Sequence, residues 1–170
     1  MKKLSFLFVV VAAMFLFNTA AQAQFNPYAE SAKMLTAGIG VSGWGVPIFA
    51  RFELPVANNF TVGGQVSYQS YSRYGLSGFS LIGIAARGSY HFNEVFEIDN
   101  DQWDIYGGAS LGFFIYDHPN DWVGNSSTSE LGLGIHIGGR YFFNDNLGLN
   151  LEIGSGSITT STTLGLTFVF

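Results

Sequence analysis

The sequence predicts an all-β fold: an eight-stranded antiparallel up-and-down transmembrane β-barrel, preceded by a cleavable signal peptide. Three observations carry this prediction. From Leu131 to Phe143 large apolar groups alternate with glycine or polar groups, Gly139 being the one gap on the apolar side. Charged residues are only 11% of the chain, against roughly 25% in an average soluble domain. Downstream of the N-terminal region there is still no stretch of about 20 apolar residues that would span a membrane as a helix.

The alternation decides which way the barrel faces. A period of two sends successive side chains to opposite sides of a strand. Leu131, Leu133, Ile135, Ile137, Tyr141 and Phe143 share one side, while Gly132, Gly134, His136, Gly138 and Arg140 share the other. In a closed barrel the concave side has little room, so the small and polar set belongs inside and the bulky apolar set belongs in lipid. A soluble eight-stranded carrier, which Gly43-Trp44 faintly suggests, needs the reverse arrangement. Only Lys2, Lys3 and Lys33 exist in the 170 residues, far fewer lysines than a water-exposed surface normally carries.

Residues 1–23 read as a signal peptide. Lys2 and Lys3 begin it, Leu4–Phe17 form the apolar run, and Ala21-Gln22-Ala23 supplies the small-x-small pattern, which places cleavage between Ala23 and Gln24. The apolar run is too short for a membrane anchor, and without cysteine no lipid anchor forms there. Residues 24–33 are expected to be a short periplasmic segment, and 34–170 the barrel. Without Lys2 and Lys3, five basic residues stand against twelve acidic ones, a net charge of −7 that disfavours nucleic acid as a partner.

Eight strands are expected at 34–43, 47–56, 59–70, 78–92, 102–116, 129–143, 146–155 and 159–170. Each has a clean apolar parity: Leu35, Ala37, Ile39 and Val41 in the first, Ile48, Ala50, Phe52 and Leu54 in the second, and similarly through to Leu164, Leu166, Phe168 and Phe170 in the last. No charge falls on any of these sets. The opposite parity collects Arg51, Glu53, Arg87, Asp104, His136, Arg140 and Glu152, with Glu130 at a rim. Buried charges are tolerable when paired, so these residues are expected to form an interior ion-pair network and leave no open channel. Gly107-Gly108 and Gly138-Gly139 are read as relief of crowding or as bends at barrel corners.

Aromatic residues cluster at alternate strand ends: Phe52, Phe60, Tyr90, Phe92, Trp103, Tyr141, Phe143, Phe168 and Phe170. Rings of this kind form girdles at the membrane–water boundary, here expected on the periplasmic side. Two of the turns at that side are short and rich in Asn and Asp, and a third, near Asn93–Asp101, is longer and acidic. The outer connections are expected near Ser42–Val46, Tyr71–Leu76, Asp117–Ser127 and Ser155–Ile158.

The run Leu164-Gly-Leu-Thr-Phe-Val-Phe170, together with Tyr90-His-Phe-Asn-Glu94 and Arg140-Tyr-Phe-Phe-Asn-Asp145, resembles the strand ends of small eight-stranded outer-membrane β-barrel proteins of Gram-negative bacteria. That class includes the OmpA transmembrane domain and OmpX. The resemblance covers Gln24–Phe170. It implies a cell outer-membrane location and a monomer surrounded by outer-membrane lipids. It also implies that the terminal Phe170 is the signal read by the barrel-assembly machinery.

Little in the sequence points to chemistry. His136 is read as a member of the interior network, and His91, near a strand end, as an interfacial residue. Asp117 and His118, with Ser126 or Ser127 nearby, supply the residue types of a nucleophilic site. The same types are ordinary turn chemistry. No metal-ligand spacing occurs and no cofactor is expected. The function expected is therefore non-enzymatic, structural or surface-interacting, with a polar plugged interior. The alternatives are a lipid- or peptide-modifying barrel such as a lipid A acyltransferase, a deacylase or a protease, and a small conduit for apolar molecules.

Overall fold

Strict alternation gives every strand one face that must avoid water and one that must avoid lipid, and a sheet satisfies both conditions by closing on itself. The computed structural model describes residues 32–43, 45–73, 76–117, 127–157 and 160–170. Its strands are β1 (Met34–Ser42), β2 (Ile48–Ala57), β3 (Phe60–Arg73), β4 (Leu76–His91), β5 (Trp103–Asp117), β6 (Ser127–Asn144), β7 (Leu147–Gly156) and β8 (Thr160–Val169). They form a closed antiparallel barrel in sequence order. β1 closes it against β8, from Met34↔Val169 to Ser42↔Ser161.

The side chains sort as the parity requires. Leu133 and Ile135 are each 69% exposed on the convex face, whereas Arg140 is 0% and Arg51 1% exposed inside. Exposed Ile, Leu, Val and Phe from all eight strands make a continuous outer surface. That surface is far larger than the few hundred Å² of apolar patch a soluble monomer carries. It suits acyl chains.

Strand limits lie within three residues of expectation, and the largest difference is informative. β3 runs to Arg73 and pairs there with Leu76 at the start of β4, so most of the connection expected at Tyr71–Leu76 is strand. Tyr71 and Phe79 lie directly opposite each other on these two strands. Their rings stack at 5.3 Å, and an aromatic cross-strand pair of this kind prolongs a hairpin. β6 likewise starts at Ser127, paired with Asp117. The expected signal peptide, with the Ala23–Gln24 cleavage site, and residues 24–31 lie outside the described residues.

At the end where β1 begins and β8 finishes, asparagines shape the turns. Asn59 adopts φ 59° between β2 and β3, a left-handed conformation that asparagine tolerates better than most residues. The Asn144 side-chain oxygen accepts from the amides of Asn146 and Leu147, each at 3.0 Å. In the longer acidic connection, the Asn93 side chain accepts from the Ile105 amide at 2.9 Å and donates to the Trp103 carbonyl.

Inside, the bore is narrow, and two long side chains cross it over a glycine in the same cross-strand row. Ser89, Gly108 and His136 form one row across β4, β5 and β6. His136 Nε2 passes over Gly108 to lie 2.9 Å from Ser89 Oγ. His91, Tyr106, Gly138 and Glu152 form the next row across β4 to β7. Tyr106 crosses Gly138, and its hydroxyl donates to Glu152 Oε2 at 2.9 Å. A Cβ on Gly138 would stand 2.5 Å from that hydroxyl, and one on Gly108 would stand 1.9 Å from the Gly88 carbonyl oxygen.

Two outcomes test this packing. Ile137→Arg, midway between Phe143 and Leu131 on the lipid face, should cost about 2–4 kcal/mol of unfolding free energy in lipid vesicles, while Leu131→Arg near the outer boundary should cost about 0–1 kcal/mol. Equal costs would contradict the lipid-facing assignment. Gly108→Ala should prevent recovery of the heat-modifiable folded band in gels. Gly154→Ala, whose Cβ would meet nothing nearer than 3.6 Å, should refold like the parent chain.

Candidate functional site

The interior gathers ionisable groups of both signs, and all seven expected members of the network are buried there. Five of them come from β2, β5, β6 and β7 at inward positions near the turn end, and Arg87 and His136 sit higher on β4 and β6. Arg140 Nη1 donates to Asp104 Oδ2 at 3.0 Å, and Nη2 donates to Glu53. Arg51 Nη2 donates to Glu152 Oε1 and Arg87 Nη2 to Glu152 Oε2, both at 2.7 Å. Three guanidiniums thus face three carboxylates.

Tyr106 links the two groups. Its hydroxyl donates to Glu152 and accepts from Asn150 Nδ2 at 2.6 Å and Arg51 Nη1 at 3.3 Å. The Arg140 guanidinium lies 4.2 Å from the centre of its ring, close enough for the ring's negative face to attract the cation. The sequence reading places Asn150 on the inward parity with the charged set but omits Tyr106. The signal was present: Tyr106 has the inward parity of its strand, between Asp104 and Gly108.

His91 corrects the sequence reading. It is fully buried and is not an interfacial residue. The outward residues of β4 are even-numbered, so position 91 faces the bore. There its Nδ1 lies 2.8 Å from Asp104 Oδ1 and its Nε2 lies 3.1 Å from Thr61 Oγ1. Below this layer Met34, Phe142 and Val169 form an apolar plug at the turn end. Above the Arg87–Glu152 pair the bore widens into a cavity of about 120 Å³.

The aromatic set occupies one level near the turn end. Trp103 and Tyr141 rings lie 5.0 Å apart, Tyr90 and Phe92 5.1 Å, Tyr141 and Phe143 5.7 Å, and Phe52 and Phe170 6.4 Å. Phe60 pairs with Tyr90, and Phe168 with Leu35 and Leu147. Of the proposed nucleophilic set, Asp117 is exposed at the end of β5. His118, Ser126 and the Ser127 side chain lie outside the described residues. Among the described residues, no group of three or more His, Cys, Asp or Glu side chains is arranged to hold a metal ion.

Comparison with known proteins agrees with this architecture. The attachment invasion locus protein Ail of Yersinia pestis is 15% identical, with 83% of this chain and 99% of Ail covered and a TM-score of 0.57. Neisserial surface protein A is 17% identical over 82% of this chain and 96% of its own, with a TM-score of 0.59. The N-terminal β-barrel domain of Pseudomonas aeruginosa OprF is 17% identical over 83% and 98%, with a TM-score of 0.58. At such identities these likenesses show the fold alone. No curated protein matches the chain. A protein family described as the outer membrane protein beta-barrel domain matches residues 6–170. With lipid outside, paired charges inside and eight strands closed in order, this chain belongs to the outer-membrane protein β-barrel family and resides in the outer membrane of a Gram-negative bacterium.

Proposed function

We propose that this protein is a non-enzymatic outer-membrane barrel with a plugged interior, whose work is to present a strand edge at the cell surface to an extended segment of a partner polypeptide. The observation that carries this reading is an uneven outer rim. β3 to β6 have 14, 16, 15 and 18 residues, whereas β1, β2, β7 and β8 have 9 or 10. Short turns mark the periplasmic end of such barrels, so the long strands project outward. β6 stays paired with β5 as far as Ser127, but its pairing with β7 ends at Gly134↔Gly156.

The last bonds on that side are made by Leu133, whose carbonyl accepts from the Ser157 amide at 2.8 Å and whose amide donates to Ser157 Oγ at 3.1 Å. By the period of two, the N–H and C=O of Leu131, Ser129 and Ser127 point the same way. Among the described residues nothing pairs with them there. Soluble proteins protect such edges with lysine or proline, and the segment Ser127-Thr-Ser-Glu-Leu131 has neither. An added strand satisfies these groups directly.

The partner's chemistry follows from charge. Ail has been seen with the heparin analogue sucrose octasulfate. A sulfated polyanion calls for clustered arginine and lysine. The outer connections here hold Arg73 against Asp117 and Asp121, with Glu130 close by on β6. A polypeptide strand fits better. The three remaining arginines are committed inside the barrel, which supports a closed bore and leaves no interior path for an apolar solute. Outer-membrane lipids around a monomer, and the barrel-assembly machinery reading Phe170, complete the proposal.

Ser129→Pro removes an edge N–H without touching the β5 ladder. It should leave folding unchanged and abolish the surface proteins cross-linked to the parent barrel on intact cells; identical cross-linked sets would defeat the proposal. The purified barrel should give a closed planar-bilayer trace, and lipid A and phospholipid composition should be the same with and without the gene. Steady conductance would favour the conduit, and altered lipids the enzyme.

A further inference from the structure

Above the Arg87–Glu152 pair the two sides of the bore differ in chemistry. β2, β4 and β5 contribute Phe49, Leu81 and Phe114, whereas β6, β7 and β8 contribute Gly134, Gly154, Ser161 and Thr163 beside the imidazole of His136. Because one side is so small, the space between them stays empty as a cup of about 120 Å³. An apolar cavity of about 150 Å³ holds a benzene molecule, so this smaller cup takes a compact branched group, or a ring with part of it above the rim.

The floor of the cup is rich in hydrogen-bond donors. Both oxygens of Glu152 are already taken, Oε1 by Arg51 and Arg87 and Oε2 by Arg87 and Tyr106. Gln65 Oε1 accepts from Arg51 Nε at 3.1 Å and from Arg87 Nη1 at 2.8 Å. Those two bonds fix the amide so that its NH₂ group remains to donate. Arg87 Nη2 uses one of its two hydrogens on Glu152 Oε2 and keeps the other. Ser67 and Ser110 add hydroxyls to the same lining. With the oxygens of Glu152 and Gln65 engaged, the donor hydrogens that remain on the floor are satisfied by a ligand that brings acceptors.

We propose that the outer half of the barrel is a blind binding cup for a small monocarboxylate with a compact apolar group. The carboxylate meets Arg87 and Gln65, where a charge-assisted bond is the strongest kind available. The apolar group lies against Phe49, Leu81 and Phe114. Glu130 lies two residues beyond Gly132, outside the lining, so it does not face the carboxylate. The cup ends on the ion-pair layer, which makes it a receptor site and not a passage.

The test uses the refolded full-length mature barrel in detergent, with benzoate, its neutral isostere benzyl alcohol, and acetate, which lacks the ring, as probes in titration calorimetry. Benzoate should bind saturably at one site, and benzyl alcohol and acetate at least tenfold more weakly. Gly154→Leu should abolish benzoate binding, because its side chain enters the cup from a position where a Cβ meets only ordinary contacts. Its folding is checked by heat-modifiable migration. Arg87→Gln should weaken benzoate at least tenfold while leaving benzyl alcohol unchanged. Non-saturable uptake, equal affinity for benzoate and benzyl alcohol, or unchanged benzoate binding in Gly154→Leu would each overturn the proposal. The strand edge at Ser129 is untouched by these variants, so the surface-contact reading stands or falls separately.

Discussion

Three guanidiniums sealed in a bore with lipid on every side survive only because each reaches a carboxylate, and most of the interior is arranged around that requirement. Moving an unpaired ion into such a medium costs several kcal/mol or more. Here Arg140 is shared by Glu53 and Asp104, while Glu152 is shared by Arg51 and Arg87. Tyr106 touches members of both clusters, so they form one connected unit. Apolar side chains would fill the same bore, but they would make the two faces of each strand alike. A polar interior against an apolar exterior means that a one-residue slip exposes arginine to lipid, and register is fixed accordingly.

Pairing needs reach, and reach needs space. In a barrel of eight strands every inward position competes for the same narrow axis. The glycines at 108 and 138 lie beside the side chains that cross the bore, His136 and Tyr106. They are steric partners of the network, as much part of it as the charges. Farther up, the same economy of side chains on β6 to β8 is no longer matched by a crossing residue, and the cup results.

The features on which the proposed functions rest sit at the outer end and differ from the scaffold in kind. The scaffold is shared with barrels only 15–17% identical to this one, so lipid-facing apolarity and closure define the fold without specifying any partner. The proposals rest instead on the projecting four-stranded edge, the acidic surroundings of that edge, and the floor of the cup.

The sequence by itself determined the strand count, the topology class and the face of nearly every residue, because a period of two is a local property and lipid punishes each exception separately. Parity alone placed Arg51, Arg87, Arg140, Glu53, Asp104 and Glu152 inside. The same rule was sufficient for His91 and Tyr106, where the strand-end position and the aromatic character drew attention from it. Which carboxylate each arginine meets was not legible, since Arg51 and Glu152 are 101 residues apart and their meeting depends on barrel closure and stagger. The uneven rim was hidden for a related reason. Whether Ser127–Gly132 continues as strand is decided by pairing with β5, and whether its far side is covered is decided by where β7 turns back. Neither neighbour is near in sequence, so only the closed tertiary structure could settle it.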